Sequence, residues 1–456
     1  MANSRKSRFS LEERVSDALH AVVPPDSSIL LGLSGGMDSV VLLHLLHTLA
    51  PRLSCQLSAL HVNHGISPHA DAWADFCRVL CARYGIPCHV EKIDIAPLRR
   101  EHGIEAAARQ LRYAALTGAA ADFVALAHHA DDQTETLLLQ LLRGAGVRGA
   151  AAMSPVSSDS GQQTQWLRPM LDVPRSAVLK YAREHALSWV EDESNHDASY
   201  ARNFLRHQVF PQLEQKFPAY RETLSRGTRH FAEASGLLDE LAELDAQDWT
   251  PGTPLQTMFL RTLTLPRAKN LLRYVLHRQG VGMPHDAQLV EMLHQLLDAR
   301  ENAEVCIVSG AHQIRRYQDK VYVLPELERF DSALVLSWQG EAELAWTASR
   351  QRLIFTRTAG QGMSWEKLQA APVSLRLRNG AERLRPHARA ASRSLKNLLQ
   401  EHHVPPWQRE RLPLLYCGEE LACVVGVAIA ADYQAKKEEG GLLVSCVECD
   451  YDAPGS

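Results

Sequence analysis

Short apolar runs rich in strand-forming residues alternate with amphipathic segments through the first third of the chain. The apolar runs predict strands at residues 28–33, 57–63, 87–93 and 123–127. Between and after them, apolar residues recur at helical spacing over residues 40–49, 69–84, 105–119 and 131–142. Such an alternation is typical of a parallel sheet with helices on its faces. We therefore predict an α/β domain built on a parallel sheet at the start of the chain.

The pattern changes after this first region. A stretch rich in Gly, Ser and Gln at residues 156–165 predicts a surface loop. The sequence turns helical from Asn203, and alternating strand-like runs dominate the region after residue 335. At about 150 residues per domain, a chain of 456 residues has room for three domains. We predict an α/β domain at 1–212, a mostly helical middle domain at 213–335 and a smaller α+β C-terminal domain at 336–456.

The composition is that of an ordinary globular protein, with 45% hydrophobic and 22% charged residues. The chain has nine cysteines, and this odd number in a long chain indicates a reducing environment. No apolar run approaches the roughly 18 residues that cross a bilayer. We therefore expect a cytoplasmic protein with no membrane partner.

The formal net charge of -4 argues, taken alone, against a nucleic-acid partner. The charges are unevenly distributed, however. Residues 376–412 carry nine Lys and Arg against three Glu, and residues 199–230 carry six against two. Residues 231–250 carry six acidic residues and no Lys or Arg. The total therefore hides two basic clusters of the kind that binds phosphates, for which a solvated charged face is the alternative explanation.

The most informative segment is a glycine-containing loop between the first predicted strand and the helix that follows it. Its residues are Ser34, Gly35, Gly36, Met37, Asp38 and Ser39. Glycines let backbone N–H groups approach a phosphate closely, and the helix N-terminus adds positive charge. Asp38 could hold Mg²⁺ beside the phosphates. The loop lacks the Lys of a Walker A motif and the spacing of a dinucleotide-binding turn; an ordinary strand-to-helix turn is the alternative.

Two further groups lie at the second strand and on the third helix. Asn63 and His64 end the strand, at the sheet edge where open α/β sheets bind ligands. Ordinary strand-end residues would explain them equally well. Arg109 and Arg112 share a helical face with Glu105, an arrangement that by spacing alone is most often a salt-bridged surface.

An acidic group directly follows the fourth predicted strand. It begins at His128 and includes Asp131, Asp132 and Glu135. Because Asp132 and Glu135 are three residues apart on a predicted helix, they can converge on one ligand, either an ammonium group or a metal ion. An N-terminal helix cap would explain Asp131 alone.

These motifs together resemble a known family. The six-residue loop resembles the pyrophosphate-binding loop of the N-type ATP-pyrophosphatase, or PP-loop, superfamily, whose members adenylate a substrate oxygen. Further segments resemble one branch of it, the tRNA(Ile)-lysidine synthases. They lie at residues 60–65, 105–113, 128–136, 142–149, 192–197 and 202–206, and in the C-terminal region at 376–386, 394–399, 405–407 and 409–413. The resemblance therefore spans the chain.

The resemblance implies an adenine-nucleotide α-hydrolase-like, Rossmann-like fold and a specific reaction. Free lysine is ligated to C2 of the wobble cytidine, position 34, of tRNA(Ile) with a CAU anticodon. The lysidine forms through an adenylated tRNA, with ATP and Mg²⁺ required and AMP and pyrophosphate released. The partners are therefore the tRNA and L-lysine; the sequence leaves the oligomeric state open, and a homodimer is compatible with it.

The same resemblance assigns roles to individual residues. ATP binding falls to the six loop residues with Asn63, His64 and His128, and catalysis to Asp38, Arg109, Arg112, Asp132 and Glu135. The metal ligand is Asp38. The residues expected to contact tRNA are Arg143, Arg148, Arg202, Arg206, Arg378, Arg383, Arg385 and Lys396.

Two alternatives remain at this point. One is another PP-loop tRNA-modifying enzyme such as a thiolase, which would need cysteines near the site. Cys446 and Cys449 lie at the extreme C-terminus, and Cys77 and Cys81 have the spacing of helix-packing residues. The other alternative is a nonenzymatic RNA-binding relative with a degenerate nucleotide site, which the presence of Asp38, Asp132 and Glu135 disfavours.

Overall fold

A computed structural model describes residues 10–96, 103–158, 164–193, 197, 200–300 and 303–448. The chain divides into two compact units, one ending at residue 300 and the other beginning at residue 301. The domain boundaries expected from the sequence, after residues 212 and 335, stay predictions.

The first unit begins with alternating strands and helices and continues with helices. Its strands are β1 Ser28–Gly32, β2 Gln56–Asn63, β3 Cys88–Lys92, β4 Phe123–Ala125, β5 Val156–Ser158, β6 Gln165–Leu167 and β7 Leu255–Gln256. Its helices are α1 Leu11–His20, α2 Met37–Leu53, α3 Ala70–Arg83, α4 Ile104–Gly118, α5 Ala130–Leu142, α6 Val147–Ala150, α7 Arg175–Glu184, α8 Ala201–Phe204, α9 Phe210–Lys216, α10 Tyr220–Ala246, α11 Thr257–Arg261, α12 Leu265–Arg278 and α13 Asp286–Asp298. A π-helical segment, Leu205–Val209, joins α8 to α9.

Six strands of this unit form one sheet in the order β3-β2-β1-β4-β6-β5. β1 pairs in parallel with both neighbours, so that Leu31 lies opposite Ala59 on one side and Ala125 on the other. Only β5 runs antiparallel, against β6. The four predicted strands are present and the predicted parallel sheet is confirmed. Because β1, β2 and β4 are parallel and adjacent, the loops after them share one edge of the sheet.

The two faces of the sheet bury different apolar clusters. On one side α2 is enclosed almost all round, with Leu42, Leu43 and Leu46 fully buried. On the other side Leu116 from α4 packs with Trp166 from β6. A helix that is apolar on every face needs cover on every face, and α1 and α7 supply it. This packing fixes the start of α2, and with it the glycine loop.

The expectation of a surface loop at residues 156–165 is wrong at both ends. Val156–Ser158 forms β5, and Gln165 begins β6. The apolar Val156 and the buried Trp166 place the chain on the sheet edge, where Val156 pairs with Leu167 and Ser157 pairs with Trp166. Residues 159–163 lie outside the described residues.

Helices α8 to α10 return the chain to the acidic helix α5. Leu205, Phe210 and Tyr220 form a small buried cluster against Leu138 and Leu139 of α5. The cluster includes a ring stack between Phe210 and Tyr220, with centroids 5.4 Å apart. The π-helical segment that carries Arg206 is thereby held against α5.

The second unit is built mainly of antiparallel strands. Its strands are β8 Val305–Ser309, β9 His312–Tyr317, β10 Lys320–Pro325, β11 Val335–Trp338, β12 Glu343–Trp346, β13 Gln351–Ala359, β14 Met363–Ser364, β15 Val373–Arg376, β16 Arg383–Leu384, β17 Arg393–Ser394, β18 Leu414–Cys417, β19 Glu420–Val424, β20 Ala428–Ile429 and β21 Gly440–Glu448. Its helices are α14 Trp365–Leu368, α15 Leu395–Glu401 and α16 Pro406–Arg409, with a 3₁₀ turn at Ala431–Tyr433.

The strands of the second unit form several small sheets. β8, β9 and β10 make an antiparallel meander. A five-stranded sheet has the order β11-β15-β18-β19-β20, and a four-stranded sheet has the order β12-β13-β21-β14. They share a core that includes Trp346, Leu375 and Leu415. The expected α+β C-terminal region is confirmed. Within the described ranges, no helix in either unit combines the length and apolarity of a membrane span.

Candidate active site

The glycine loop connects β1 to α2 and is held by its own serines. Ser39 donates a hydrogen bond to the Gly36 carbonyl, at 2.9 Å, and Ser34 Oγ accepts one from the Gly36 N–H, at 3.3 Å. Gly36 is the N-cap of α2 and has no side chain that could accept from the first-turn N–H groups. These backbone N–H groups can therefore donate hydrogen bonds to a bound anion.

Gly35 adopts a conformation that favours glycine. Its φ is +84°, and its carbonyl accepts a hydrogen bond from the Val190 N–H at 3.0 Å. A Cβ at this position would lie 2.9 Å from Val190 Cγ2 and 3.2 Å from Cys77 Sγ. Cys77 is buried and Val190 has a stiff branched side chain, so neither can give way easily.

We expect Gly35→Ala to lower the free energy of unfolding by about 3 kcal/mol, because it combines a left-handed backbone with this clash. Urea titration of the purified protein measures the loss. Gly85→Ala is the matched control, since Gly85 has φ +67° but open space around its Cβ position. Equal losses for the two variants would refute the close packing of the loop.

A chain of polar groups runs from the glycine loop to the start of α5. His129 Nε2 lies 3.6 Å from Asp38 Oδ2, and His129 Nδ1 lies 3.4 Å from Asp132 Oδ2. The His129 side chain is 2% exposed. Burial alone would lower the pKa of His129, but the nearby carboxylates of Asp38 and Asp132 outweigh it, and the pKa is raised. The site thus places a buried imidazole between two carboxylates.

His129, and not Asp131, caps α5. The His129 backbone N–H donates to Asp132 Oδ2 at 3.0 Å, and the Asp132 N–H donates to His129 Nδ1 at 3.4 Å. Asp131 instead binds Arg221, at 2.9 Å, and accepts from the Arg175 N–H. The explanation of Asp131 as a helix cap is therefore wrong. Sequence analysis assigned no role to His129, although a polar residue three positions before Asp132 is the pattern of a capping box.

Glu135 is held by Arg206 in a bidentate ion pair. Arg206 Nε and Nη2 donate to its two oxygens at 2.8 and 3.0 Å, and Nη2 lies 3.5 Å from Asp132 Oδ1. Arg202 is also near, 4.0 Å from Glu135 Oε2. The Glu135 side chain is 1% exposed, and this burial raises its pKa against the opposing charge of Arg206. Asp132 and Glu135 thus both face Arg206, and their predicted convergence on an ammonium group or a metal ion stays a prediction.

Two half-buried imidazoles, His64 and His128, lie near arginines in the same unit. His64 Nδ1 and His128 Nδ1 are inaccessible and have no hydrogen-bond partner in the described part of the chain. Burial, helped by the charge of Arg112, lowers the pKa of His64 to about 4. Burial lowers the pKa of His128 to about 3, with Asp132 opposing and Arg168 and other arginines helping. Both rings are therefore neutral at physiological pH, and each keeps a nitrogen for a bound group.

Of the other predicted ATP-site and catalytic residues, Asn63 and Arg109 have hydrogen-bond partners within the chain. Asn63 donates to Asp71 at 2.8 Å and accepts from the Gly65 N–H at 2.9 Å, so it orders the loop after β2. Arg109 donates to the Tyr113 hydroxyl at 3.2 Å. Arg112 is largely buried, which lowers its pKa. The side chain of Glu105 lies outside the described residues.

The arginines predicted to contact tRNA in the first unit surround α5. Arg143 is exposed at its C-cap. Arg148, on α6, forms an ion pair with Asp239 of α10. Arg202 donates to Thr136 Oγ1 at 2.9 Å, while Arg206 binds Glu135. Of the associated motif at 192–197, residues 194–196 lie outside the described residues.

The remaining predicted tRNA contacts lie in the second unit. Arg383 donates to the Ser392 carbonyl at 2.7 Å, and Arg385 donates to Asp432 at 2.7 Å. Arg378 is half-buried and Lys396 is exposed on α15. The four residues follow or flank β15 to β17, so the basic cluster inferred from charge counting belongs to this unit.

The site around Asp38 is suited to a cation that is coordinated partly by the phosphates of a bound nucleotide. Among the described residues, no three His, Cys, Asp or Glu side chains are grouped so as to hold a metal by themselves. Mg²⁺ is commonly held by one or two carboxylates together with substrate phosphates. Asp38 Oδ1 is buried beside the glycine loop and has no hydrogen-bond partner among the described residues, as such a ligand requires.

The parallel sheet, the glycine loop and the acceptors at its edge define a PP-loop nucleotide-binding protein. The family model described as "PP-loop domain" matches residues 8–213, "TilS substrate binding domain" matches 256–322, and "TilS substrate C-terminal domain" matches 373–446. The chain is 43% identical over 428 residues to the tRNA(Ile)-lysidine synthase of Nitrosomonas europaea, covering 94% of this chain and 93% of the relative. It is 39% identical to that of Azoarcus sp. strain BH72, with the same coverage. The chain belongs to the tRNA(Ile)-lysidine synthase family.

A solved structure of the U34-tRNA thiolase NcsA from Methanococcus maripaludis is more distantly similar. It is 19% identical, covers 49% of this chain and 77% of its own, and has a TM-score of 0.41, so it supports no inference about the reaction. Cys77 and Cys81 are buried in the apolar cluster that also encloses α2. Cys446 lies in β21, and Cys449 lies outside the described residues.

Proposed function

We propose that this chain is an AMP-forming ligase that attaches free L-lysine to C2 of the wobble cytidine of tRNA(Ile) with a CAU anticodon. Family membership makes it an ATP-binding, tRNA-modifying ligase. One observation carries the reaction sequence. His129 lies between Asp38, in the loop that would hold pyrophosphate, and Asp132, which is suited to an amine. Arg206 in turn lies between Asp132 and Glu135. The two half-reactions would therefore share one site.

The first half-reaction activates a poor leaving group. The C2 oxygen of cytidine attacks the α-phosphate of ATP, and pyrophosphate leaves into the glycine loop. Asp38 would hold Mg²⁺, which when bound supplies positive charge to the phosphate oxygens. Arg109 and Arg112 stabilise the charge that develops at phosphorus. The neutral rings of His64 and His128 offer hydrogen bonds to the nucleotide without adding charge.

The second half-reaction replaces the activated oxygen with the ε-amine of lysine. That amine has a pKa near 10.4 in water and must lose a proton before it attacks. Glu135 would orient the amine from its buried position one helical turn after Asp132, and Arg206, which now occupies both of its oxygens, would have to share them with the amine. Asp132 is more accessible and is the carboxylate better placed to accept the proton. The target base must leave the anticodon stack to enter the site.

Incorporation of radiolabelled lysine tests the proposed function. Wild-type protein is incubated with ATP, Mg²⁺, labelled lysine and a CAU-anticodon tRNA(Ile) transcript, and label in the tRNA is counted. We expect incorporation that depends on ATP and is absent when the wobble cytidine is replaced by uridine. AMP formation without incorporation would favour a thiolase-like reaction, and no pyrophosphate release would favour a nonenzymatic relative.

The basic cluster of the second unit is proposed to bind the tRNA backbone. Replacing Arg383 and Arg385 together with Gln should weaken tRNA binding for all sequences and lower the slope of log K against log salt by about 2, because each phosphate contact contributes about 1. ATP affinity should not change. A filter-binding titration at several salt concentrations measures the tRNA affinity and its salt slope.

The control removes the same charge elsewhere in the second unit. Arg350 and Arg352 are exposed and paired with Glu328 and Glu343, outside the basic cluster. Their double replacement with Gln should leave the salt slope close to that of wild type. An equal fall for both double variants would show a nonspecific charge effect and remove the recognition hypothesis. We also propose that the protein is cytoplasmic and that it forms a homodimer. Light scattering, which measures the molar mass in solution, tests the homodimer.

A further inference from the structure

His129 is an unusual choice for the residue that caps α5. Helix N-caps are most often Ser, Thr, Asp or Asn, whose short side chains accept from the N–H two or three residues later. Here an imidazole does so, at 3.4 Å from the Asp132 N–H, which is a long contact. A smaller residue such as Asn would cap the helix better. The reason for a histidine at this position therefore has to be sought at its other ring nitrogen, Nε2.

That second nitrogen faces the glycine loop. In the neutral ring, Nδ1 accepts from the Asp132 N–H, so the hydrogen is on Nε2. In the protonated ring Nδ1 instead faces Asp132 Oδ2, 3.4 Å away, as a donor, and Nε2 still carries a hydrogen. In both forms an N–H group therefore faces Asp38 Oδ2, 3.6 Å away. His129 is almost fully buried, and its cap ties leave the ring little freedom to turn.

The two carboxylate oxygens of Asp38 have different surroundings. Oδ2 faces His129, whereas Oδ1 is buried with no hydrogen-bond partner in the ranges that the structure describes. A carboxylate that binds a metal is usually oriented by a hydrogen bond to its other oxygen. In Asp38, His129 Nε2 lies 3.6 Å from Oδ2, on the side where such an orienting group would stand.

We propose that His129 is a positioning residue that orients Asp38 toward the nucleotide-bound cation and couples it to the start of α5. The inference rests on the proposed function for the role of Asp38. Through its cap to Asp132, His129 also fixes the distance between the cation site and the carboxylate that receives the lysine proton. Loss of a residue that orients a metal ligand typically weakens metal binding by about 10–100-fold.

Two substitutions separate this role from simple helix capping. His129→Asn places an amide near the position of Nδ1, so it keeps a good N-cap but is too short to reach Asp38. His129→Gln places an amide near the position of Nε2, so it can reach Asp38 but caps poorly. A structural role predicts rescue by Asn, whereas a positioning role predicts rescue by Gln.

The readout is binding of Mn²⁺, followed by electron paramagnetic resonance with the full-length protein and α,β-methylene-ATP, which cannot be cleaved between its α and β phosphates. We expect His129→Asn to bind Mn²⁺ at least about 10-fold more weakly than wild type while keeping its melting temperature. We expect His129→Gln to bind Mn²⁺ within about 3-fold of wild type despite a lower melting temperature.

Wild-type affinity in His129→Asn would overturn the proposal, as would equal weakening in both variants. The lysine-incorporation assay on the wild-type protein is run beside it. If that assay fails while the two variants differ as expected, the proposed function is wrong and the positioning role of His129 stands.

Discussion

Asp38→Asn is expected to slow pyrophosphate release by about 10³-fold while leaving the fold intact. Asn has the size of Asp and can still face His129, so the packing around the loop is kept. It removes the negative charge that would hold a cation against the phosphates, on a loop carboxylate whose Oδ1 is buried and has no hydrogen-bond partner among the described residues. A coupled pyrophosphate assay with saturating ATP, tRNA and Mg²⁺ measures the rate.

Asp17→Asn is the control for this substitution. Asp17 lies exposed on α1 and its replacement changes the net charge by the same amount. It should release pyrophosphate at the wild-type rate. If Asp38→Asn matched it, the cation site would have to be elsewhere.

Asp132→Asn is expected to separate the two half-reactions. Asn can still accept from the His129 N–H, so the cap of α5 and the first half-reaction should survive. The variant has no carboxylate to take the proton from the lysine amine, and transfer should slow by about 100-fold. Adenylated tRNA should then accumulate, which gel electrophoresis of tRNA labelled from [α-³²P]ATP detects.

The variant should also respond to pH in a characteristic way. Without Asp132, only lysine that is already deprotonated can react, and its amine has a pKa near 10.4. The transfer rate should therefore rise about tenfold per pH unit over the neutral to mildly alkaline range. Asp131→Asn, which alters the contacts to Arg221 and Arg175 instead, should not accumulate the intermediate. Accumulation in both variants, or in neither, would contradict the assignment of the proton acceptor to Asp132.

The parallel sheet was predictable because its signal is local. Each of β1 to β4 is a short apolar run bounded by polar residues, and each lies within one or two residues of its predicted range. The glycine loop was equally clear, since two glycines between a strand and a helix have few other uses. The pairing of β5 with β6 was missed because it depends on Trp166 being buried against α4, which the composition of residues 156–165 does not reveal.

The motifs predict candidate members of the site, and those assignments stay predictions; the contacts between the members could not be predicted from the sequence. Asp38, Asp132 and Glu135 were identified, but Arg206 is 71 residues from Glu135 in sequence, and nothing local indicates that it binds there. His129 was overlooked because its neighbour Asp131 is the commoner kind of helix cap. The pairing of Arg148 with Asp239 likewise depends on how α10 packs on α6. Residue types came from the motifs, whereas partners came from tertiary packing.

The origin of the oxygen in AMP tests the central claim most directly. A tRNA(Ile) carrying oxygen-18 at C2 of the wobble cytidine is converted with ATP and unlabelled lysine, and the AMP is analysed by mass spectrometry. If the glycine-loop site adenylates the C2 oxygen, the AMP carries one oxygen-18 atom and the lysidine-containing tRNA carries none at C2. Unlabelled AMP formed together with lysidine would mean that the C2 oxygen leaves in another product, such as water, and would contradict the proposed mechanism.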